Sequence, residues 1–494
     1  MEILLAMEVM ICALAAVVLM LFGAQDTAAD LQAGSEAMAR ALKMLGEQRA
    51  LARKDFRLVN STSTVDGIFR ESIEVAIRSY SIKNVKVIVG WKAGGRAQKI
   101  ELSTLVADYN ATAGNDTCDS NLSGDWSQPR KIIFNFAVLT GEAFENYAIT
   151  DVDAYKGKLY ITSNDSSANK ETFFVFSIND PENPVLINKI DNDLNNTGLN
   201  AVAVGTARNG KTYAYVASAS SFTRGQLQII DVSEDIDPPQ IVATFKIDSE
   251  TVNESGIGNS VYYSEGLVYL GLTKTGSGSS GGEFNIIDAR DFPDRPLSLL
   301  KSIPIGNNIN SIFAKGKYVY LATPNSQELK VFKIEDPAVP VFKEGFDWIG
   351  GGNGKSVYAV GDVLYFGRTA PSLGPEFFIL DNDDPEKLQI NNSVLPRPYA
   401  REINSSVNGL IVRDYLAFLL TTKQSANPGQ IQILRVDAPQ NISIFADAII
   451  LPDDGNPLPN YTGSGVAMDC EGNYLYAASI DGSGKNYLSI ITGK

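Results

Sequence analysis

The chain has 494 residues, enough for two to four domains, and its 44% hydrophobic and 20% charged residues exclude wholesale disorder. A formal net charge of −15 argues against nucleic acid and against an anionic membrane surface as partners, because both would repel it. There is no histidine, which removes the commonest general base, the commonest zinc and copper ligand, and the Ser-His and Cys-His nucleophile pairs.

Residues Ile3 to Phe22 form a nearly unbroken apolar run, long enough to span a bilayer core as a helix. It has neither the basic flank nor the small-residue cleavage site of a secretory signal, so it is expected to stay in the mature chain. Glu2 stands at its head and Glu8 lies inside it. A carboxylate in hydrocarbon is costly unless paired, so acids in such a place usually have a function; the alternative for Glu8 is an anchor helix whose acid snorkels or pairs with a neighbour. Cys12 lies in the same run. From Gln25 to about Phe56 there is no proline, and Leu31, Met38, Leu42 and Leu45 predict that the helix continues to residue 56 with one apolar stripe.

Residues 57–106 read as a small antiparallel β region, and over 70–106 the pattern changes to period two. Ile73–Ile77, Val85–Val89 and Gln98–Leu102 read as three strands, the last two joined by the turn Lys92-Ala93-Gly94-Gly95. So thin a sheet needs a helix over one face, and the end of the long helix is the obvious cover. A helix beginning Glu2-Ile3-Leu4-Leu5-Ala6, running out amphipathically onto a small antiparallel sheet, resembles a type IV pilin. The stretch Val87-Ile88-Val89-Gly90-Trp91 through Leu102-Ser103-Thr104 is similar to the final hairpin of some prepilin-like proteins. The resemblance implies self-assembly into a helical filament through the N-terminal helix, with Glu2, or else Glu8, in the family's assembly role. It also implies insertion in the cytoplasmic membrane and handling by an inner-membrane pilus assembly machinery.

Residues 107–130, rich in Asn, Asp, Gly, Ser and Thr, read as a linker. Beyond them a unit of about fifty residues repeats to the end of the chain. Each unit has a strand centred on an aromatic residue: Tyr160, Tyr215, Tyr269, Tyr320, Tyr365, Phe418 and Tyr476. A short apolar strand follows, as in Leu227–Ile230 or Phe377–Leu380, and then a turn that is commonly Asp-Pro, as at Asp180-Pro181, Asp237-Pro238, Asp336-Pro337 and Asp384-Pro385. Units of this size fit four-stranded blades, and 131–494 is predicted to be a seven-bladed β-propeller. The last unit lacks a fourth strand, and 132–138 is expected to supply it and close the ring. That closure brings Cys118 towards Cys470, so a disulfide is expected between them; two unrelated thiols are the alternative. The strands Leu227-Gln228-Ile229-Ile230-Asp231 and Phe284-Asn285-Ile286-Ile287-Asp288 resemble the LVIVD repeat, a bacterial and archaeal propeller family, which implies the same fold and a surface-binding role.

The fold class expected is thus an α+β pilin-like domain, a long helix plus a small antiparallel sheet, followed by an all-β seven-bladed propeller. Asn60, Asn110, Asn115, Asn121, Asn164, Asn195, Asn253, Asn391, Asn404, Asn441 and Asn460 each begin an Asn-x-Ser/Thr sequon and are candidate glycosylation sites. The acidic loops Asp191-Asn192-Asp193 and Asp381-Asn382-Asp383-Asp384 carry oxygens of the kind Ca²⁺ takes, but neither has the spacing of a complete loop site, and no cofactor is expected. No nucleophile elbow or metal cluster stands out, so a non-enzymatic surface protein is expected: a pilus-like filament subunit displaying the propeller to an unknown surface ligand for adhesion. A membrane-anchored or pilus-tip binding protein that does not polymerise is the alternative, and an enzyme using the channel is less favoured.

Overall fold

A computed structural model describes residues 28–494 apart from 55–57, 80–81, 94–95, 108–116, 119–121, 142–147, 165–170, 192–197, 220–224, 235, 248–255, 275–281, 325–326, 383, 388–398, 424–428, 438–440 and 450–462. The chain divides into two compact units, Met1–Ala111 and Thr112–Lys494. The apolar run with Glu2, Glu8 and Cys12 lies outside the described residues.

In the first unit a helix, Ala28–Lys54, packs on an antiparallel sheet of Thr62–Asp66, Phe69–Ser79, Ile82–Ala93 and Arg96–Ala107 in that order. The sheet has four strands where three are predicted from sequence. The extra strand, Thr62–Asp66, is exposed along its whole length and so carries no apolar alternation to reveal it. The buried stripe of the helix also differs from expectation. Ala37, Ala41, Leu45 and Ala52 are buried, whereas Leu42 is 56% exposed. Small residues let the helix backbone approach Val85, Val87 and Val89 of the sheet, and Met38 is only half-buried. Arg40 holds the edge, pairing with Glu36, Asp66 and Glu71 at 2.7–2.9 Å.

The second unit contains five four-stranded antiparallel sheets in chain order and then a nine-stranded sheet, in which blades six and seven are joined where Thr422 and Lys423 pair with Ser464 and Gly463. Blades one to six begin with the innermost strands Ala148–Tyr155, Leu199–Thr206, Gly258–Ser264, Ser311–Lys315, Gly354–Val360 and Val407–Arg413. Blade seven is Gly463–Gly472, Tyr474–Asp481 and Asn486–Thr492, completed by Arg130–Asn135 from the other end of the unit. Each innermost strand neighbours the next, and that of blade seven neighbours that of blade one. The second unit is a β-propeller.

Burial explains why the third strands read as unbroken apolar runs. Leu227–Asp231 is buried at every position because its blade is covered on both faces, whereas the outer strand Gln240–Phe245 alternates exposed and half-buried residues. The aromatic residues that mark the second strands are all buried. The core is accordingly a circle of layers between blades. Val261 and Leu270 of blade three pack on Tyr215 and Ile229 of blade two; at the closing seam Ile149, Ile161 and Phe174 pack on Tyr476, Leu488 and Ile490.

Two boundaries need correction. The closing strand ends at Asn135 rather than 138, because the Asn135 carboxamide oxygen accepts from the Ala137 N–H at 3.0 Å and starts a helical turn, Phe136–Thr140. The segment read as linker is, from Thr117 onward, part of the propeller. Thr117–Cys118 pairs in parallel with Glu471–Gly472, and Trp126 is buried edge-on against Phe418. Asp125 and Lys494 exchange backbone hydrogen bonds at 2.7 and 3.1 Å.

Candidate functional site

Backbone pairing sets the geometry at the inner edge of the propeller. In six innermost strands the register slips by one residue near the start, leaving Thr150, Asn200, Asn259, Lys355, Asn408 and Val466 unpaired with the second strand. Asn310 holds the corresponding place in blade four, immediately before its strand. A bulge frees a side chain from the pleat and re-aims it. Each of these seven residues is half-buried while the residue before it is buried, so the seven form a partly exposed annulus around the axis.

Five of them reach across to the next blade, and always to the carbonyl of the residue that precedes its annular residue. Thr150 Oγ1 donates to Leu199 O at 2.6 Å, Asn200 Nδ2 to Gly258 O at 2.6 Å, and Asn259 Nδ2 to Ile309 O at 2.7 Å. Asn310 Nδ2 donates to Gly354 O at 2.6 Å and Asn408 Nδ2 to Gly465 O at 2.8 Å. Lys355 breaks the series: the carbonyl of Val407 is taken by Ser356 Oγ at 3.1 Å, and the Lys355 ammonium has no partner among the described residues. Gly354 is required beside it, since a side chain there would collide with the Glu328 carbonyl.

Further along the innermost strands, carboxylates replace the amides in linking blades. Asp151 accepts from the Val202 and Val152 N–H groups at 2.9 Å, Asp153 from Val204 at 2.9 Å, and Asp469 from Ala154 at 2.6 Å. Burial pushes the Asp151 carboxyl up to about 7, against the opposing pull of its two backbone donors. A second series precedes the third strands. Glu283 accepts from Ile305 and Gly306, Glu376 from Ile403 and Asn404, and the Gln226 amide oxygen from Ile247, each tying down the connection to the next blade. These acids and amides are structural.

Of the residues singled out from sequence, Cys118 and Cys470 are joined as a disulfide with Cα atoms 5.2 Å apart, within the range such a bridge spans. Among the described residues the one group of three potential metal ligands is Cys118, Asp469 and Cys470, whose two sulfurs are engaged in that bridge. Asn60, Asn164, Asn404 and Asn441 are all exposed; Asn110, Asn115, Asn121, Asn195, Asn253, Asn391 and Asn460 lie outside the described residues, as do Glu2 and Glu8. In the second acidic loop Asn382 accepts from Tyr320 OH at 2.9 Å and Asp384 from the Glu386 N–H at 3.2 Å, so both groups serve the fold. The annulus was not singled out from sequence. Its signal is the Asn that follows a buried apolar or glycine residue at Leu199-Asn200, Gly258-Asn259, Ile309-Asn310 and Val407-Asn408.

No protein-family model matches the chain, and no curated protein matches it. Among solved structures it is similar to YCF48 bound to D1 peptide, at 7% identity and a TM-score of 0.47, covering 75% of this chain and 99% of that one. It is also similar to a functionally unknown protein from Desulfotomaculum acetoxidans, at 15% identity and a TM-score of 0.40 over 69% of this chain and 94% of the other. A third is a quinonprotein alcohol dehydrogenase-like protein from Bacteroides thetaiotaomicron, at 12% identity and a TM-score of 0.38 over 74% and 85% of the two chains. Among the described residues no helix is long and apolar enough to cross a membrane; the run 3–22 is not among them.

Proposed function

We propose that the chain is a subunit of a type IV pilus-like filament that displays an LVIVD-type propeller on the cell surface for adhesion. The observation that carries this reading is the first unit. A helix of 27 residues lays a stripe of alanines on a four-stranded antiparallel sheet, and in sequence it is preceded by the apolar run with Glu2 and Glu8. A plain membrane anchor needs no such helix-on-sheet head. The reading has the apolar run inserted in the cytoplasmic membrane first and then packed against its copies, with Glu2 or Glu8 paired to a group on the neighbouring subunit. The pilus assembly machinery of the inner membrane carries out the transfer. A closed ring pinned by a disulfide suits display outside the cell, where disulfides persist.

Electron microscopy and mass spectrometry of filaments sheared from the cell surface test the proposal. Filaments dominated by this chain, and lost when Glu2 or Glu8 is replaced by Ala while the membrane-bound chain persists, are expected. Filaments without the chain would reject it in favour of a membrane-anchored or pilus-tip binding protein.

A further inference from the structure

We infer that the annulus binds an acidic sugar, with Lys355 taking the carboxylate and the amide oxygens of Asn259, Asn310 and Asn408 taking hydroxyl hydrogens. These four residues occupy consecutive blades, three to six, and so form one continuous arc of the ring. The orientation of each amide is fixed. A nitrogen that donates to a backbone carbonyl, as in Asn259 to Ile309, Asn310 to Gly354 and Asn408 to Gly465, leaves the oxygen as the remaining atom. None of the three oxygens has a partner among the described residues, and all three residues are half-exposed. The arc therefore offers three hydrogen-bond acceptors and one ammonium donor.

Lys355 differs from the half-buried Lys315, whose Nζ donates to Gly361 O at 2.8 Å, and from the buried Lys330, whose Nζ donates to Gln327 Oε1 at 2.8 Å. The acids of the innermost strands, Asp151, Asp153 and Asp469, are held by backbone N–H groups of neighbouring blades and do not pair with Lys355. The local sequence sharpens the point. Gly354-Lys355-Ser356 repeats Gly258-Asn259-Ser260 except at the central residue, and the serine performs the same inter-blade bond in both, at 3.1 and 2.9 Å. The lysine is thus not needed to hold the blades together at that place.

The mixture of groups selects the ligand. Inorganic phosphate at neutral pH brings almost only acceptors, satisfies the ammonium and leaves three amide oxygens unmatched. A neutral sugar matches the oxygens and leaves the ammonium without an anion. A hexuronate residue brings a carboxylate and several hydroxyls on one ring, and a charge-assisted bond to the carboxylate is the strongest single contact available.

The test is calorimetric titration of the full-length chain in detergent micelles with trigalacturonate, maltotriose and inorganic phosphate. Micelles hold no filaments, so failure of binding and failure of the filament reading are separate results. Trigalacturonate is expected to bind, and maltotriose and phosphate to bind at least about tenfold more weakly. Lys355→Asn, which recreates the triplet of blade three, is expected to melt no lower than the parent and to lose about ten- to a hundredfold in trigalacturonate affinity. Lys355→Arg is expected to retain it. Absence of trigalacturonate binding by the folded chain, or equal affinity in Lys355→Asn, would overturn the inference. Phosphate binding as tight as trigalacturonate would overturn the sugar assignment.

Discussion

Arg368 of blade five and Glu328 of blade four form an ion pair from which water is excluded, with Nη1 3.0 and 3.2 Å from the two carboxylate oxygens and side chains 0% and 1% exposed. Glu328 holds the position where Glu283 and Glu376 accept backbone N–H groups, and here an arginine from the next blade replaces those donors. Arg368 also donates to the carbonyls of Pro375 at 2.9 Å and of Trp348 and Ile349 at 3.3 Å. Removing one partner strands a buried charge. Arg368→Met is therefore expected to cost about 3–5 kcal/mol in chemical denaturation, while Glu328→Leu with Arg368→Met recovers most of that loss. Equal losses in the single and double variants would show that the arginine acts only through its carbonyl contacts.

The propeller was legible because its grammar is local. Tyr160, Tyr215 and Tyr269 recur at a near-constant interval, and a third strand covered on both faces has no reason to alternate. Where a side chain outside the apolar pattern decides the structure, the reading failed. Asn135 starts a helical turn inside an apolar run, so the closing strand is shorter than its hydrophobicity suggests. Ala37 and Ala41 outcompete Met38 and Leu42 for the sheet because a close approach of backbones favours small residues. The annulus was hidden for a further reason. An asparagine beside a strand reads as a turn residue, and its partner, the next blade's carbonyl, is some fifty residues away, as Asn259 and Ile309 are.

The disulfide makes a prediction of its own. Cys118 and Cys470 are separated by 352 residues, so their bridge closes almost the whole propeller into one loop. It removes chain entropy from the unfolded state and pins Thr117–Cys118 beside the last blade. Cys118→Ser is expected to lower stability by about 2–5 kcal/mol. Reductant should lower the melting temperature of the parent to that of the variant and leave the variant unchanged. A parent indifferent to reductant would mean that the bridge does not constrain the unfolded chain.

The inter-blade bonds at the annulus differ in redundancy, and the difference is measurable. The Ile309 carbonyl receives both Asn259 Nδ2 at 2.7 Å and Ser260 Oγ at 2.9 Å, whereas the Gly354 carbonyl receives Asn310 Nδ2 at 2.6 Å and is followed by Lys355 in place of an asparagine. Asn310→Ala is expected to cost about 1 kcal/mol, the net worth of one such bond. Asn259→Ala should cost clearly less, because Ser260 keeps its acceptor satisfied. Thermal melts of the two single variants decide this, and the reverse order would show that the amides hold the ring through contacts other than these carbonyls.

Asp151 gives the propeller a pH dependence of unusual sign. Its carboxyl is raised to about 7 by burial, although Val152 and Val202 donate to it. In the unfolded chain the same group releases its proton near pH 4. Between those values the unfolded state holds fewer protons than the folded one, so the contribution of this site is fully present below about pH 4 and is lost as pH rises through about 7. Asp151→Asn keeps a carbonyl oxygen to accept from Val202 and cannot ionise. The variant is therefore expected to match the parent at pH 4 and to become progressively more stable than it up to pH 8, by at most about 4 kcal/mol. The measurement is urea denaturation of both proteins across that range. A difference that is constant with pH would mean that Asp151 is ionised throughout, with the two backbone donors outweighing burial, and would make its carboxylate a fixed negative charge at the inner edge of the ring.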